Sequence, residues 1–369
     1  MKIGFDAKRL FHNNTGLGNY SRDLVRIMKQ YYPNNEYILY NPKEKYRFFF
    51  SDNDNFKVIT PHGIFKTLHF IWRTYGIAKN QYTKELDIYH GLSGEIPVNL
   101  PDHIKKVVTI HDLIFERYPN LYSSWNRKMH FKKFKYAVAK ADAIIAISEQ
   151  TKQDIVTYLK VDPANIHVIY QGCAQAFKEN YTTEELEATR IKYNLPSEFV
   201  LNVGTIEERK NAFNLVKAIR DIDTKIVLVG RKTNYTKKIE EYITEHKLDN
   251  KVIFLQGLTL TELAHVYQLA TVFAYPSIFE GFGIPIIEAL YSGTPVITTN
   301  SGVFPEAGGP NSIYIDEQNI EDITNAIQSL LSNKDKREFI ASQGKLFVQK
   351  FNDEQIATQW NNLYTKITK

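Results

Sequence analysis

Glu280 and Glu288 lie eight residues apart in the run Tyr275-Pro-Ser-Ile-Phe-Glu-Gly-Phe-Gly-Ile-Pro-Ile-Ile-Glu-Ala-Leu-Tyr-Ser-Gly. A carboxylate only accepts hydrogen bonds, so such a pair suits vicinal hydroxyls, as on a ribose and a hexose. Gly281 and Gly283 let the backbone approach a ligand closely. Pro285 suits the first position of a helix and Gly293 the residue past its end. Glu288 then falls in the first helical turn, with Phe282 to Ile284 at the helix start, whose N–H groups and positive dipole end favour an anion. One short segment thus offers acceptors for sugar hydroxyls beside a site for phosphate.

The cations for such a phosphate stand in Val203-Gly-Thr-Ile-Glu-Glu-Arg-Lys-Asn. A strand ends at Val203 and a helix starts near Asn211, which can cap it. Arg209 and Lys210 therefore face the positive end of a helix, at a cost of about 0.3–1 kcal/mol each. A dianionic ligand removes that conflict, and Glu207 and Glu208 are the local alternative. Two glycine- or histidine-bearing loops belong to the first half. Val107-Val-Thr-Ile-His-Asp-Leu puts His111 directly after a buried strand, with Asp112 able to cap the next turn. Asn13-Asn-Thr-Gly-Leu-Gly-Asn-Tyr puts Gly16 and Gly18 where a tight anion-binding turn can form. Ser21 replaces the third glycine of a dinucleotide fingerprint, which argues against a nicotinamide cofactor.

These loops need a scaffold that places them at strand ends. Short runs apolar on every position recur, as parallel strands covered on both faces require. In the first half they are 2–5, 37–40, 56–59, 88–90, 106–110, 143–147 and 167–170; in the second, 199–203, 225–229, 252–255, 272–275, 296–299 and 312–315. Helical patterns between them predict an α/β protein of two Rossmann-like, doubly wound domains. The expected division is 1–173, a polar linker over 174–195, a second domain over 196–350, and a C-terminal helix over 351–369. Asn352 would cap that helix, with Ile356, Trp360, Leu363 and Ile367 along one stripe.

The 369 residues are 43% hydrophobic and 24% charged, an ordinary globular composition. No run approaches the roughly 18 apolar residues of a membrane span. The start, Met1-Lys-Ile-Gly-Phe-Asp, reads as a strand rather than a signal peptide. A single cysteine, Cys173, excludes a disulfide framework and a multi-cysteine metal site, and the expectation is a reduced, cytoplasmic protein. The net charge of +5 divides into +9 for residues 1–173 and −4 for the rest. Basic and aromatic residues interleave over 64–82 (Lys66, His69, Trp72, Arg73, Tyr75) and 125–136 (Lys128, Phe131, Lys132, Lys133, Phe134), a pattern suited to an anionic membrane surface. No RNA or DNA motif accompanies it, so nucleic acid is not an expected partner. Asp52/Asp54 and Asp221/Asp223 are the only Asp-x-Asp pairs for a divalent metal, and neither sits in a coherent strand-end motif. No metal site is expected.

Glu280-Gly-Phe-Gly-Ile-Pro-Ile-Ile-Glu288 resembles the E-x7-E signature of retaining family 4 glycosyltransferases. Gly204-Thr-Ile-Glu-Glu-Arg-Lys-Asn211 resembles their phosphate-binding segment, and Thr109-Ile-His-Asp-Leu113 their first-domain histidine loop. Many members carry Arg after the equivalent of Gly204; here Thr205 stands there, and Arg209 supplies a cation beside Lys210. The resemblance is nearest in flavour to bacterial O-antigen and capsule mannosyltransferases. It implies the GT-B fold, with two Rossmann-like domains facing an interdomain cleft. It also implies a nucleotide-diphosphate sugar, GDP-mannose, as donor, and no other cofactor. Glu288 would grip the ribose, Glu280 the donor sugar, Arg209 and Lys210 the diphosphate, with Gly204 and the segment Gly281 to Ile284 close by. Gly16 and Gly18 would line the donor site and His111 would stand near the donor sugar. The acceptor, a glycan or lipid-linked oligosaccharide, would lie on the basic first domain. A sugar-nucleotide 2-epimerase or hydrolase, or a non-catalytic sugar-nucleotide-binding protein, is the alternative on the same scaffold.

Overall fold

The computed structural model describes residues 1–13, 15–43 and 56–369. Asp52 and Asp54 lie outside the described residues. The chain forms two compact units, Met1–Gly172 with Phe351–Lys369, and Cys173–Lys350.

The first unit is built on β1 (Lys2–Asp6), β2 (Glu36–Tyr40), β3 (Phe56–Ile59), β4 (Ile88–Gly91), β5 (Lys105–Ile110), β6 (Ala143–Ala146) and β7 (Ile166–Val168). Their order is β3-β2-β1-β4-β5-β6-β7, and every neighbouring pair is parallel. The chain lays β2 and β3 to one side of β1, then returns to lay β4 to β7 on the other. The order therefore reverses between β1 and β4, and the loops after these two strands diverge to leave a crevice. Strands such as β4 and β6 are buried at every position, which explains their unbroken apolar runs. The seventh strand ends at Val168, short of the expected Tyr170.

The Asp353–Thr368 helix belongs to this unit. Asn352 Oδ1 accepts from the Gln355 amide at 2.9 Å, capping it. Arg26, on the Gly16–Tyr31 helix, bonds Asp353 at 2.7 Å. Trp360 and Tyr364 are fully buried, and the Tyr364 hydroxyl meets His90 Nδ1 at 2.7 Å.

The second unit carries β8 (Val200–Val203), β9 (Ile226–Val229), β10 (Val252–Leu255), β11 (Val272–Tyr275), β12 (Val296–Thr299) and β13 (Ile313–Ile315). These are parallel in the order β10-β9-β8-β11-β12-β13, reversing between β8 and β11. The stretch 174–195, read from sequence as a linker, is folded into this unit. It forms a helix over Thr183–Lys192, started by a capping box between Thr182 and Glu185. Thr189 on that helix bonds His265 at 2.7 Å, and Phe177 packs edge-on against Tyr267. Absence of strand periodicity marked a helix rather than a flexible tether.

Among the described residues no helix is long and apolar enough to cross a membrane. No group of three or more His, Cys, Asp or Glu among them could hold a metal ion.

Candidate functional site

The loops that follow β8 and β11 flank the reversal of the second sheet, where open α/β sheets bind ligands beyond their strand ends. After β8 the chain passes Gly204 into a single 3-10 turn, Glu208–Lys210, and then the short Ala212–Ala218 helix. After β11 it runs from Ser277 to Gly283 into the Ile284–Tyr291 helix. Gly283, at φ +103°, makes the turn into that helix with a conformation only glycine adopts without strain.

Arg209 and Lys210 converge on Glu280. Lys210 Nζ donates to Glu280 Oε1, and Arg209 Nη1 lies 2.9 Å from the same oxygen. Tyr275 and Ser277 hydroxyls donate to that oxygen at 2.9 Å each. Arg209 also donates to the Phe279 carbonyl and pairs with Glu207 at 2.7 Å. The Arg209 carbonyl accepts from the Ile278 amide at 2.9 Å, which ties the two loops together through their backbones. Burial alone would raise the Glu280 carboxyl, but Lys210 and Arg209 hold it down to about 2. Burial works to lower the Arg209 guanidinium, and Glu280 and Glu207 hold it above its ordinary value. For Lys210 burial prevails over the attraction of Glu280, and its ammonium is lowered. Two cations and two carboxylates thus form a compensated cluster that a more strongly charged anion can enter by exchanging partners.

Glu288 behaves differently. It lies in the second turn of its helix rather than the first, because the helix begins at Ile284, and it is nearly buried. The Tyr267 hydroxyl donates to it at 3.0 Å. Among the described residues no cation pairs with it, and burial pushes its carboxyl up to about 7. Glu280 is therefore a carboxylate at neutral pH, whereas Glu288 is divided between acid and carboxylate.

Other expectations are revised. Asn211 does not cap the following helix: it adopts a left-handed conformation, and its amide donates to the Glu317 carbonyl at 2.7 Å. Gly16 and Gly18 form no separate turn but lie in the first turn of the Gly16–Tyr31 helix. Asn13 Oδ1 accepts from the Thr15 amide at 2.8 Å and the Gly18 amide at 3.3 Å, occupying donors an anion would need. Asp221 is exposed and paired with Arg220 at 2.8 Å. Arg73, read as part of a basic surface, is buried, and Phe131 and Phe134 pack on the core.

Gly16, Gly18 and His111 belong to the first unit. His111 Nε2 donates to the Leu92 carbonyl at 2.8 Å, leaving Nδ1 as the acceptor of the neutral ring. Loss of water around the ring lowers it to about 4. The Tyr20 ring stands edge-on at 4.6 Å, and the Tyr20 hydroxyl meets Thr109, which also bonds His90. Asp112 caps the next turn through the Ile114 amide at 3.1 Å. Sequence reading missed Tyr267, Tyr275 and Ser277, whose hydroxyls donate to the two glutamates. Tyr275 and Ser277 flank the glutamate loop, but a tyrosine ending a buried strand carries no mark separating a core ring from a site hydroxyl.

A family model described as "Glycosyl transferases group 1" matches residues 185–347, and one described as "Glycosyltransferase Family 4" matches residues 42–174. The chain belongs to the family 4 glycosyltransferases. Members similar to this family 4 chain include the serotype-specific mannosyltransferase WbdA of Escherichia coli, 28% identical over 269 residues. That match covers 68% of this chain and 32% of WbdA, so the chain spans about a third of that relative. The O-antigen chain mannosyltransferase B of Escherichia coli is 25% identical, covering 75% of this chain and 74% of its own. HepE of Anabaena, solved with UDP and glucose, superposes with a TM-score of 0.75 at 19% identity, over 99% of this chain and 100% of that one. The fold is GT-B.

Proposed function

We propose that this chain is a retaining glycosyltransferase moving mannose from GDP-mannose to a cell-surface glycan or lipid-linked oligosaccharide. It would act in the cytoplasm, at the inner face of the membrane. The observation that carries the reading is the convergence of Arg209 and Lys210 on Glu280 between the loops after β8 and β11. The names of WbdA and the O-antigen mannosyltransferase support mannose, and the HepE complex supports a nucleotide diphosphate as the bound half of the donor.

In this reading the diphosphate takes the two cations, and Glu280, released from them, accepts the donor sugar hydroxyls. Glu288 accepts from the ribose. When the bond between the anomeric carbon and the phosphate oxygen breaks, charge grows on the leaving diphosphate. Preplaced cations stabilise it with no reorganisation at the moment of reaction. The acceptor oxygen bonds the anomeric carbon from the face the diphosphate leaves, and a phosphate oxygen takes its proton. The neutral His111 is assigned to the donor sugar.

A thermal-shift panel of GDP-, UDP- and ADP-sugars tests the donor, since a ligand bound only by the folded state raises its apparent stability. GDP-mannose is expected to give the largest rise. No rise with any sugar nucleotide would sink the reading, and a larger rise with UDP- or ADP-sugars would replace its base. The anomeric configuration of the product, read by NMR, checks retention.

A further inference from the structure

His111 is held at three points, and one of them leads to the last helix of the chain. Its Nε2 donates to the Leu92 carbonyl, and its own carbonyl accepts from the Thr151 hydroxyl at 3.1 Å. Those contacts fix the backbone and one ring nitrogen, but the ring plane can still swing about the line from Nε2 to Leu92. The Tyr20 ring closes that freedom, standing at 90° to the imidazole. Tyr20 is placed in turn by a buried run of polar groups. The Tyr364 hydroxyl, fully buried on the Asp353–Thr368 helix, meets His90 Nδ1 at 2.7 Å. His90 Nε2 meets the Thr109 hydroxyl at 2.8 Å, and Thr109 meets the Tyr20 hydroxyl at 3.1 Å. Burial and the neighbouring His111 hold the His90 ring down to about 3, so it is neutral. A fully buried hydroxyl needs an acceptor for its proton; Tyr364 therefore donates to Nδ1, and His90 donates onward from Nε2 to Thr109. Trp360 of the same helix packs on the His90 ring at 4.8 Å. Apolar side chains would fill this space without taking four polar groups out of water. A satisfied polar run does what they cannot: it admits one arrangement of its members.

We propose that Tyr364, His90 and Tyr20 are positioning residues: the Asp353–Thr368 helix sets the tilt of the His111 ring through the run Tyr364, His90, Thr109, Tyr20. The consequence for catalysis rests on the transferase reading, in which His111 is assigned to the donor sugar. Loss of one link frees the imidazole to tilt, while Leu92 and Thr151 keep it in its loop. Donor binding is spared, since the diphosphate is assigned to Arg209 and Lys210. The bond-breaking step slows, because the productive geometry is populated less often.

Two readouts on the full chain test it: side-chain nitrogen NMR of His111, and steady-state turnover of GDP-mannose with octyl mannoside as acceptor. Tyr364→Phe keeps the ring and removes the first hydroxyl. It is expected to move the His111 nitrogen signals and to lower kcat about tenfold, with KM for GDP-mannose and the affinity for GDP unchanged. Tyr20→Phe breaks the run at its other end and is expected to move the same signals; Tyr20→Leu, which also removes the ring, lowers kcat further. Ile356→Ala opens a gap on the same helix outside the run. It should lower the melting temperature and leave both the His111 signals and kcat as they are, which separates positioning from a general loss of stability. Unmoved His111 signals in Tyr364→Phe and Tyr20→Phe overturn the proposal, as does an equal change in Ile356→Ala. Moved signals with an unchanged kcat overturn its catalytic consequence. The His111 signals decide the positioning whether or not the transferase reading holds; a wild-type chain that neither binds GDP nor turns over removes that reading alone.

Discussion

At the β8–β11 reversal Arg209, Lys210 and Glu280 crowd together, held by contacts that an incoming anion can replace. At the β1–β4 reversal Arg73 has already satisfied Asp6 and Glu95, and a hollow remains beside them. The two sheets share the order of their first six strands, and the first adds a seventh at its edge, so the difference at the two reversals lies in the side chains placed there. In the second unit charge is stored for exchange. In the first it is locked: Arg73 pairs with Asp6 and Glu95 together.

That contrast can be broken most sharply by removing one charge from each cluster. Glu280→Gln and Arg73→Met are each expected to cost about 3–5 kcal/mol, because each strands buried charges. Chemical denaturation measures the loss. Added GDP should recover much of it in Glu280→Gln, where two cations lack a partner, and no more than the wild-type gain in Arg73→Met. Equal recovery in both would erase the distinction.

Lys210→Met should lower turnover by about 10²–10³-fold, the usual effect of deleting one preplaced group that stabilises developing charge. Steady-state rates, with melting temperature confirming the fold, decide this. The next effect is a pH dependence from Glu288. Its carboxyl is raised to about 7 when folded, so the folded state binds the proton more tightly than the unfolded chain. The resulting stability is complete below about pH 4 and is lost as pH rises through 7, about 3 kcal/mol in all. Relative to wild type, Glu288→Gln should therefore gain stability between pH 4 and pH 8. A constant difference would contradict the assigned state. The smallest effect belongs to the first unit: Lys132→Ala should change stability by less than about 0.5 kcal/mol, as for any exposed side chain outside a network.

Much of the fold was legible because parallel strands buried on both faces leave continuous apolar runs, and each predicted strand has its counterpart, with β7 shifted by one or two residues. The Thr183–Lys192 helix escaped because it is short and mostly polar outward, its start marked only by Thr182 and Glu185. At the site, the loop positions of Arg209, Lys210 and Glu280 follow from strand ends and glycines. That Glu280 pairs with both cations while Glu288 meets the Tyr267 hydroxyl does not, because it depends on where the Ile284–Tyr291 helix begins. The cleft over β1 and β4 was equally hidden. Asp6, Arg73 and Glu95 are distant in sequence, and Arg73 sits in a stretch whose composition reads as surface.

The most direct test of the account is a calorimetric titration of GDP into the wild-type chain and the Lys210→Met variant. Saturable binding is expected for the former and at least tenfold weaker binding for the latter, with the melting temperatures of the free proteins showing both folded. Equal affinity in the two, or no binding of GDP or UDP to the wild-type chain, would contradict it.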